Sequence, residues 1–251
     1  MVCVPYLHCI LLIKTKKRIK MKKLLSLSAL AVVIGILSSC NTGNKKETKL
    51  QNPVAAESKE KQIAPNEAKA KTMADLQDAF KGETTASAKY AAYSKKAEQE
   101  GNHNIALLFA AASKAEKVHA NNHKSVIVEL GGAVPNITPE FTVKTTGENL
   151  QDAIEGESYE VTTMYPDFLQ DAANSKTQLA QISFNYAFEV EKKHQTMYRN
   201  ALLALNNNTV NELPNVYYIC PTCGNTYDQT PSERCGISMT GSEKFIKINS
   251  L

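Results

Sequence analysis

The sequence predicts an all-α protein: a four-helix bundle around a pair of metal ions, followed by a small cysteine-rich tail. An internal repeat is the first observation, because LQDAFKGE at Leu76–Glu83 recurs as LQDAIEGE at Leu150–Glu157. A Glu-x-x-His motif follows each copy, at Glu116–His119 and at Glu191–His194, 33 and 34 residues beyond the final Glu of the repeat. One inward Glu and one Glu-x-x-His from each helix pair describe a carboxylate-bridged dinuclear metal site.

Apolar residues recur at helical spacing in four segments, and each segment carries at least one of these carboxylates within its apolar stripe. The stripes run from Leu76 to Tyr93, from Ile105 to Ile127, from Leu150 to Phe168 and from Phe184 to Leu202. The breaks near residues 101–102 and 174–175 are short, which predicts two antiparallel hairpins. Residues 131–147, between the second and third segments, are long enough to run the length of a bundle. A single long crossover is the topology of ferritin-like folds.

The bundle is therefore predicted to occupy residues 72–206. Residues 214–251 are expected to form a separate mini-domain that is too small to fold without a metal. Residues 40–71 precede the bundle and are rich in Lys, Glu and Asn, with little to bury. That composition predicts a polar linker.

Residues 1–39 are predicted to be a doubtful N-terminal extension followed by a targeting segment. Met21-Lys22-Lys23 gives a charged start, Leu24–Leu37 is an apolar run of 14 residues, and a small-residue stretch ends at Cys40. A membrane span needs ~20 apolar residues, and the arrangement instead resembles the signal peptide and lipobox of bacterial lipoproteins. That resemblance implies a lipid on Cys40 and a location at the bacterial cell envelope, on the periplasmic face of a membrane. An internal membrane anchor or a buried apolar helix is the alternative.

The charge distribution argues against nucleic acid as a partner. The chain has a net charge of +4, but seven basic residues and no acidic ones lie within the first 23 positions. Beyond residue 39 there are 22 basic and 25 acidic residues, a net charge of −3. We therefore expect no nucleic-acid binding, and contact with a membrane only through the lipid anchor.

Five carboxylates and two imidazoles are predicted to face the bundle core: Glu83, Glu116, Glu157, Glu160, Glu191, His119 and His194. An ionised Glu in a core costs several kcal/mol unless it is paired or coordinated. Glu-x-x-His places both side chains on one helix face, so a carboxylate can bridge two metals while the imidazole caps one. Oxygen-rich ligation with one imidazole per metal suits iron or manganese. The alternative, solvated residues on Lys/Glu-rich helices, explains a single Glu better than a duplicated set.

The repeat is imperfect at one position, where Glu160 has Ala86 as its counterpart in the first half. An extra carboxylate on one side makes the two metal positions inequivalent, and it would let one iron exchange its His ligand for Glu during turnover. Two adjacent ferrous ions deliver two electrons at once. This predicts either peroxide reduction or dioxygen-driven oxidation of ferrous iron.

From about residue 72 to its C-terminus, the chain resembles the rubrerythrins, ferritin-like di-iron proteins with a C-terminal rubredoxin-like domain. The resemblance rests on the duplicated Glu and Glu-x-x-His set, on Glu160 and on the cysteine-rich tail. It implies that the seven bundle residues bind two non-haem irons. It also places Tyr90 and Tyr165 where family members have tyrosines that hydrogen-bond the ligating carboxylates, with plain core aromatics as the alternative.

The same resemblance implies a function and partners. The function would be hydrogen peroxide reduction in oxidative-stress defence by a homodimer. Electrons would enter through the iron of the tail, from an NADH-linked reductase or a rubredoxin that the sequence does not identify.

Three cysteines, Cys220, Cys223 and Cys235, predict a site for one iron or zinc in the tail. Cys220-Pro-Thr-Cys223-Gly is an intact metal knuckle, but the second knuckle reads Cys235-Gly-Ile-Ser238. Ser238 could supply a harder oxygen ligand, which is expected to lower the reduction potential and stability of the site. A degraded or shifted knuckle with three cysteines is the alternative. Three aromatic residues are expected to form a small core in the tail: Tyr217, Tyr227 and Phe245.

Two other functions stay open at the level of sequence. Ferritin-like bundles also oxidise and sequester iron, although a storage cage does not need an electron input. A zinc-bound structural protein would keep the fold and lose its redox role through Ser238. His123, one turn beyond His119, is expected to be a half-exposed helix residue.

Overall fold

The computed structural model describes residues 64–251; the predicted signal peptide, Cys40 and the linker up to residue 63 lie outside the described residues. The first helix, α1, spans Pro65–Gln99, and α2 spans His103–Glu129. Thus α1 begins before the predicted start at residue 72, and the last part of the predicted linker belongs to the bundle. Pro65 at the first helical position and Glu67 in the first turn favour this early start.

The second half of the bundle contains α3 (Thr146–Tyr159), a π-helical segment (Glu160–Met164), α4 (Tyr165–Asn174) and α5 (Gln178–Asn206). A capping box starts α3: the Thr145 hydroxyl accepts from the Glu148 amide, and the Glu148 carboxylate accepts from the Thr145 amide. Residues 132–145 have no regular structure and connect the two hairpins. The predicted all-α bundle with one long crossover is confirmed, whereas the π segment was not predicted.

The tail contains a three-stranded antiparallel sheet with strand order β2-β1-β3. Its strands are β1 (Tyr217–Ile219), β2 (Thr226–Tyr227) and β3 (Ile246–Ile248). Tyr218 pairs with Tyr227 on one side and with Lys247 on the other. This small sheet is consistent with the expected rubredoxin-like domain.

The tail is not separate from the bundle, in contrast to the prediction for residues 214–251. Tyr217 and Ile219 are buried in the same hydrophobic cluster as bundle residues such as Phe109. Tyr217 therefore packs on the bundle, while Tyr227 and Phe245 stack on each other with ring centroids 5.5 Å apart. The strand alternates its side chains, and the bundle covers one face of it.

The buried apolar residues of the bundle form two clusters, one toward each end. On α1, Leu76 belongs to one cluster and Tyr90 to the other, and Glu83 lies between them in sequence. The same order holds on α5, where Phe184 and Tyr198 belong to different clusters on either side of Glu191. The buried polar residues thus form a layer in the middle of the bundle. Within residues 64–251, no helix has the length and hydropathy that a membrane span requires.

Candidate metal centre

Each of the four long helical stretches contributes to the polar layer: Glu83 from α1, Glu116 and His119 from α2, Glu157 from α3, and Glu191 and His194 from α5. None of these side chains is more than 2% exposed. They form two overlapping groups in which the ligand atoms lie within 4.8 Å of one another. One group contains Glu83 and His119, the other contains Glu157 and His194, and both share Glu116 and Glu191.

The shared carboxylates contact both imidazoles. Glu191 places one oxygen 2.8 Å from His119 Nδ1 and the other 2.8 Å from His194 Nδ1. Glu116 likewise lies 2.9 Å from His119 Nδ1 and 3.1 Å from His194 Nδ1. The arrangement suits a metal pair in which these two carboxylates bridge and the other residues each bind one ion.

Both histidines point the same ring nitrogen into the cluster and the other toward the tail. His119 Nε2 lies 3.1 Å from the carbonyl oxygen of Cys223, and His194 Nε2 lies 2.9 Å from the hydroxyl of Thr226. A proton on Nε2 lets each ring donate to the tail and keeps the Nδ1 lone pair free for a metal. The tail therefore holds both imidazoles in the orientation and tautomer that ligation requires.

Four buried carboxylate oxygens accept no hydrogen bond of acceptable geometry: Glu83 Oε2, Glu116 Oε1, Glu157 Oε2 and Glu191 Oε1. Three of them face histidine nitrogens at 2.8–3.7 Å, while none of these ion-pair contacts involves Glu157 Oε2 among the described residues. Buried oxygens without donors are costly in a core. Hard cations would satisfy them, so the donor set fits a pair of iron ions.

Two buried tyrosines link the two halves of the repeat. Tyr90, on α1, donates a 2.6 Å hydrogen bond to Glu157 Oε1, and Tyr165, at the start of α4, donates to Glu83 Oε1. Each half thus supplies a tyrosine that orients the carboxylate of the other half. Tyr90 follows Glu83 by 7 residues, whereas Tyr165 follows Glu157 by 8. The π segment between Glu157 and Tyr165 absorbs the extra residue and restores the equivalent position.

Glu160 lies at the start of the π segment and is half-buried. It is absent from both ligand groups, so the structure brings together six of the seven predicted bundle ligands. Glu160 instead lines a cavity of about 330 Å³ together with Tyr90, Ala86 and Lys89. This carboxylate therefore stands between the cavity and the buried cluster.

His123 is completely buried, which corrects the expectation of a half-exposed residue. Its Nδ1 lies 2.8 Å from the Ser183 hydroxyl and its Nε2 lies 3.2 Å from the hydroxyl of Tyr165. Burial lowers the pKa of His123 to about 3, and the nearby His119 contributes in the same direction. His123 is thus a neutral support for the Tyr165–Glu83 hydrogen bond. Only its one-turn spacing from His119 indicated this in the sequence.

Burial and mutual repulsion control the protonation of the carboxylates. Burial, followed by repulsion from Glu116, raises the pKa of Glu83 to about 8. Burial also raises the pKa of Glu157 well above its usual value, with Glu191 as the next cause. Burial acts against the charge of Glu116 as well, but attraction to His194 and hydrogen bonds from both histidines outweigh it and lower its pKa. The metal-free cluster therefore holds protons that a metal must displace.

The affinity of the cluster for Mn²⁺ is expected to increase with pH up to about 8, because protonated Glu83 competes with the metal below its pKa. One displaced proton corresponds to about a tenfold gain in affinity per pH unit. Mn²⁺ suits this test because it prefers carboxylates to the thiols of the tail. Electron paramagnetic resonance of free Mn²⁺ measures the affinity, and an affinity that does not change between about pH 6.5 and about pH 8 would contradict the prediction.

The second candidate centre is in the tail, where Cys220, Cys223 and Cys235 are all buried with Sγ atoms within 4.8 Å of one another. The Sγ atoms of Cys223 and Cys235 are 3.4 Å apart. Three convergent buried thiols are the soft donor set that iron or zinc prefers. This centre lies next to the first one, since Cys223 also contacts His119.

A four-helix bundle with an inward Glu and a Glu-x-x-His from each hairpin defines the class of ferritin-like di-iron carboxylate proteins, here with a thiol site attached. The model of the rubrerythrin family matches residues 75–202, about half of the chain. The chain belongs to the rubrerythrin family.

Individual relatives agree with this assignment. Rubrerythrin-2 of Clostridium acetobutylicum is 34% identical over 177 residues, which cover 68% of this chain and 92% of the relative. Nigerythrin of Nitratidesulfovibrio vulgaris is 30% identical, with coverage of 69% and 85%. The structure of fully reduced, all-ferrous nigerythrin has a TM-score of 0.63 at 29% identity and covers 70% of this chain and 86% of that one.

The family and the geometry together identify the cofactors. The bundle binds a di-iron site and the cysteine-rich tail binds an iron, as the sequence predicted. The protein is accordingly a di-iron oxidoreductase related to oxidative-stress proteins.

Proposed function

We propose that this protein is a peroxidase that reduces hydrogen peroxide to water with electrons relayed through the tail. The observation that carries the proposal is the direct contact of the tail with both histidines of the cluster. A protein that only stores iron does not need an electron-transfer site against its oxidation centre. The contact therefore favours turnover over storage.

The proposed electron route is short. Cys223 would bind the tail iron through its Sγ, and its own carbonyl oxygen lies 3.1 Å from His119 Nε2. The opposite nitrogen of the same ring, Nδ1, faces Glu83, Glu116 and Glu191. One residue and one imidazole thus connect the two centres within a single chain.

A ferrous pair supplies two electrons at once, the number needed to convert one hydrogen peroxide and two protons into two waters. The protein residues would position the substrate and hold protons. The cavity bounded by Glu160 offers a small molecule a route toward the buried layer. Burial, followed by repulsion from Glu83, raises the pKa of Glu160, so this carboxyl group can carry a proton at the point where the cavity meets the cluster.

The oxidant preference of the ferrous protein tests the proposal. The full chain is loaded anaerobically with Fe²⁺ and mixed with one equivalent of hydrogen peroxide or of dioxygen, and the ferric absorbance is followed. We expect fast oxidation by peroxide and slow oxidation by dioxygen. Preferential reaction with dioxygen, together with assembly into a multi-subunit cage, would overturn the proposal in favour of iron sequestration.

Glu160→Ala is expected to retain both bundle irons and to slow the peroxide step at least about tenfold, because a positioned acid or exchanging ligand contributes at least that much. Iron content and stopped-flow oxidation by peroxide are the measurements. The control is Glu155→Ala, which changes an exposed carboxylate on the same stretch of helix. Peroxide oxidation at the parental rate in Glu160→Ala would remove Glu160 from the reaction.

We also infer that the protein is exported and anchored through a lipid on Cys40, as a homodimer that receives electrons from a reductase or a rubredoxin. The support is the sequence pattern of residues 21–40. Labelled fatty acid should be incorporated by the parent and not by Cys40→Ala when each is expressed in a bacterium. Equal labelling of the two would contradict the lipid anchor.

A further inference from the structure

The two metal knuckles of the tail have matching backbones although their sequences differ. In the first, the Gly224 amide donates to the Cys220 carbonyl at 2.9 Å, and in the second the Met239 amide donates to the Cys235 carbonyl at 3.0 Å. A second pair of bonds matches as well: the Cys220 amide donates to Asn225 at 3.0 Å, and the Cys235 amide donates to Thr240 at 2.8 Å. Counting along these bonds places Ser238 where the first knuckle has Cys223.

The second knuckle keeps this backbone against a local cost. Gly224 has φ of 76°, and its counterpart Met239 has φ of 60°. The left-handed region is unfavourable for a side chain such as methionine. The turn is therefore held by its surroundings, which argues against a degraded or shifted knuckle.

The side chain of Ser238 reaches the thiols. Its Oγ lies 3.2 Å from Cys220 Sγ, close to the 3.4 Å that separates Cys223 Sγ from Cys235 Sγ. Within residues 64–251, no His, Asp or Glu belongs to the ligand group of the three cysteines. The Thr240 hydroxyl lies 2.9 Å from Ser238 Oγ and hydrogen-bonds Thr222 at 2.8 Å, which fixes the serine at this position.

We propose that Ser238 Oγ is the fourth ligand of the tail iron, completing a site with three sulfurs and one oxygen. A hard oxygen donor stabilises ferric over ferrous iron compared with a thiolate. The reduced tail would then be a stronger electron donor toward the neighbouring bundle centre than a four-cysteine site. The proposal concerns the tail iron alone, so it can fail without affecting the proposed peroxide reduction.

Cobalt substitution of the full chain tests the ligand set without any activity assay. Thiolate-to-Co²⁺ charge-transfer absorption arises only from the tail, because the described bundle cluster has no thiols. Ser238→Cys is expected to raise this absorption by about one third, as a fourth thiolate joins three. Ser232→Cys, which adds a thiol at an exposed serine of the same tail, is the matched control and should leave the absorption unchanged.

Ser238→Ala completes the test. It is expected to weaken Co²⁺ binding by the tail at least about tenfold and to change the ligand-field bands, because a direct ligand is lost. A spectrum and affinity equal to those of the parent would overturn the proposal. If the alanine variant does not fold, Ser238→Cys decides alone: unchanged thiolate absorption in that variant also overturns it.

Discussion

Gly224→Ala is expected to push the tail away from the bundle and disconnect the two metal centres. A Cβ at this position would overlap His119 Nε2 and would lie 3.1 Å from the carbonyl oxygen of Ala115. Neither atom can move freely, because the first is in a buried ring and the second is in the backbone of α2. Overpacking of this kind costs about 1–3 kcal/mol, in addition to about 1–2 kcal/mol for an alanine at positive φ. Urea denaturation measures the total, and the rate at which reduced tail iron re-reduces the bundle measures the disconnection.

Gly101→Ala separates these two effects. Gly101 has φ of 79°, close to the 76° of Gly224, but nothing lies within 4 Å of a Cβ built there. The control should show only the cost of positive φ and keep the parental rate of electron transfer. If both variants transferred electrons at the parental rate, the contact between Gly224 and His119 would have no part in connecting the centres.

Glu191→Gln is expected to remove both metals from the bundle, whereas Glu157→Gln should remove only the one beside His194. The difference follows from the geometry, since Glu191 contacts both imidazoles and Glu157 belongs to only one ligand group. Glutamine keeps the size of the side chain while removing its charge. Metal affinity should fall by at least about ten- to a hundredfold at each affected position. Mn²⁺ stoichiometry measured by electron paramagnetic resonance reports the bundle without the tail.

Glu189→Gln is the matched control for this pair. Glu189 lies one residue before the adjacent Val190 on α5, its side chain is 42% exposed, and it pairs with Lys192. Its replacement should leave the full Mn²⁺ stoichiometry. Retention of one Mn²⁺ per chain by Glu191→Gln would show that Glu191 does not bridge the two ions.

The repeat made much of this architecture predictable. A buried carboxylate is rare, so the same carboxylate in two copies, each followed by Glu-x-x-His, is informative about both the helices and their inward faces. The spacing of the breaks then identified the hairpins and the crossover. Six of the seven predicted bundle ligands meet in the structure because i, i+3 spacing alone places a Glu and its His on one face.

Two features escaped because they depend on contacts between distant elements. A constant offset between the repeats pairs Glu160 correctly with Ala86, but it pairs Tyr165 with Ala91. The change from 7 to 8 residues was the signal of the π segment. The docking of the tail was hidden for a different reason: a short alternating strand such as Tyr217–Ile219 does not reveal which neighbour covers it.

The π segment also bears on the history of the molecule. Two identical halves would have enclosed a symmetric pair of metal positions, each supported by a tyrosine from the opposite half. One additional residue in a single helix breaks that equality and still preserves both tyrosine bonds. A length difference of one residue, acquired after duplication, is therefore enough to give the two copies different chemical roles without rebuilding the framework they share.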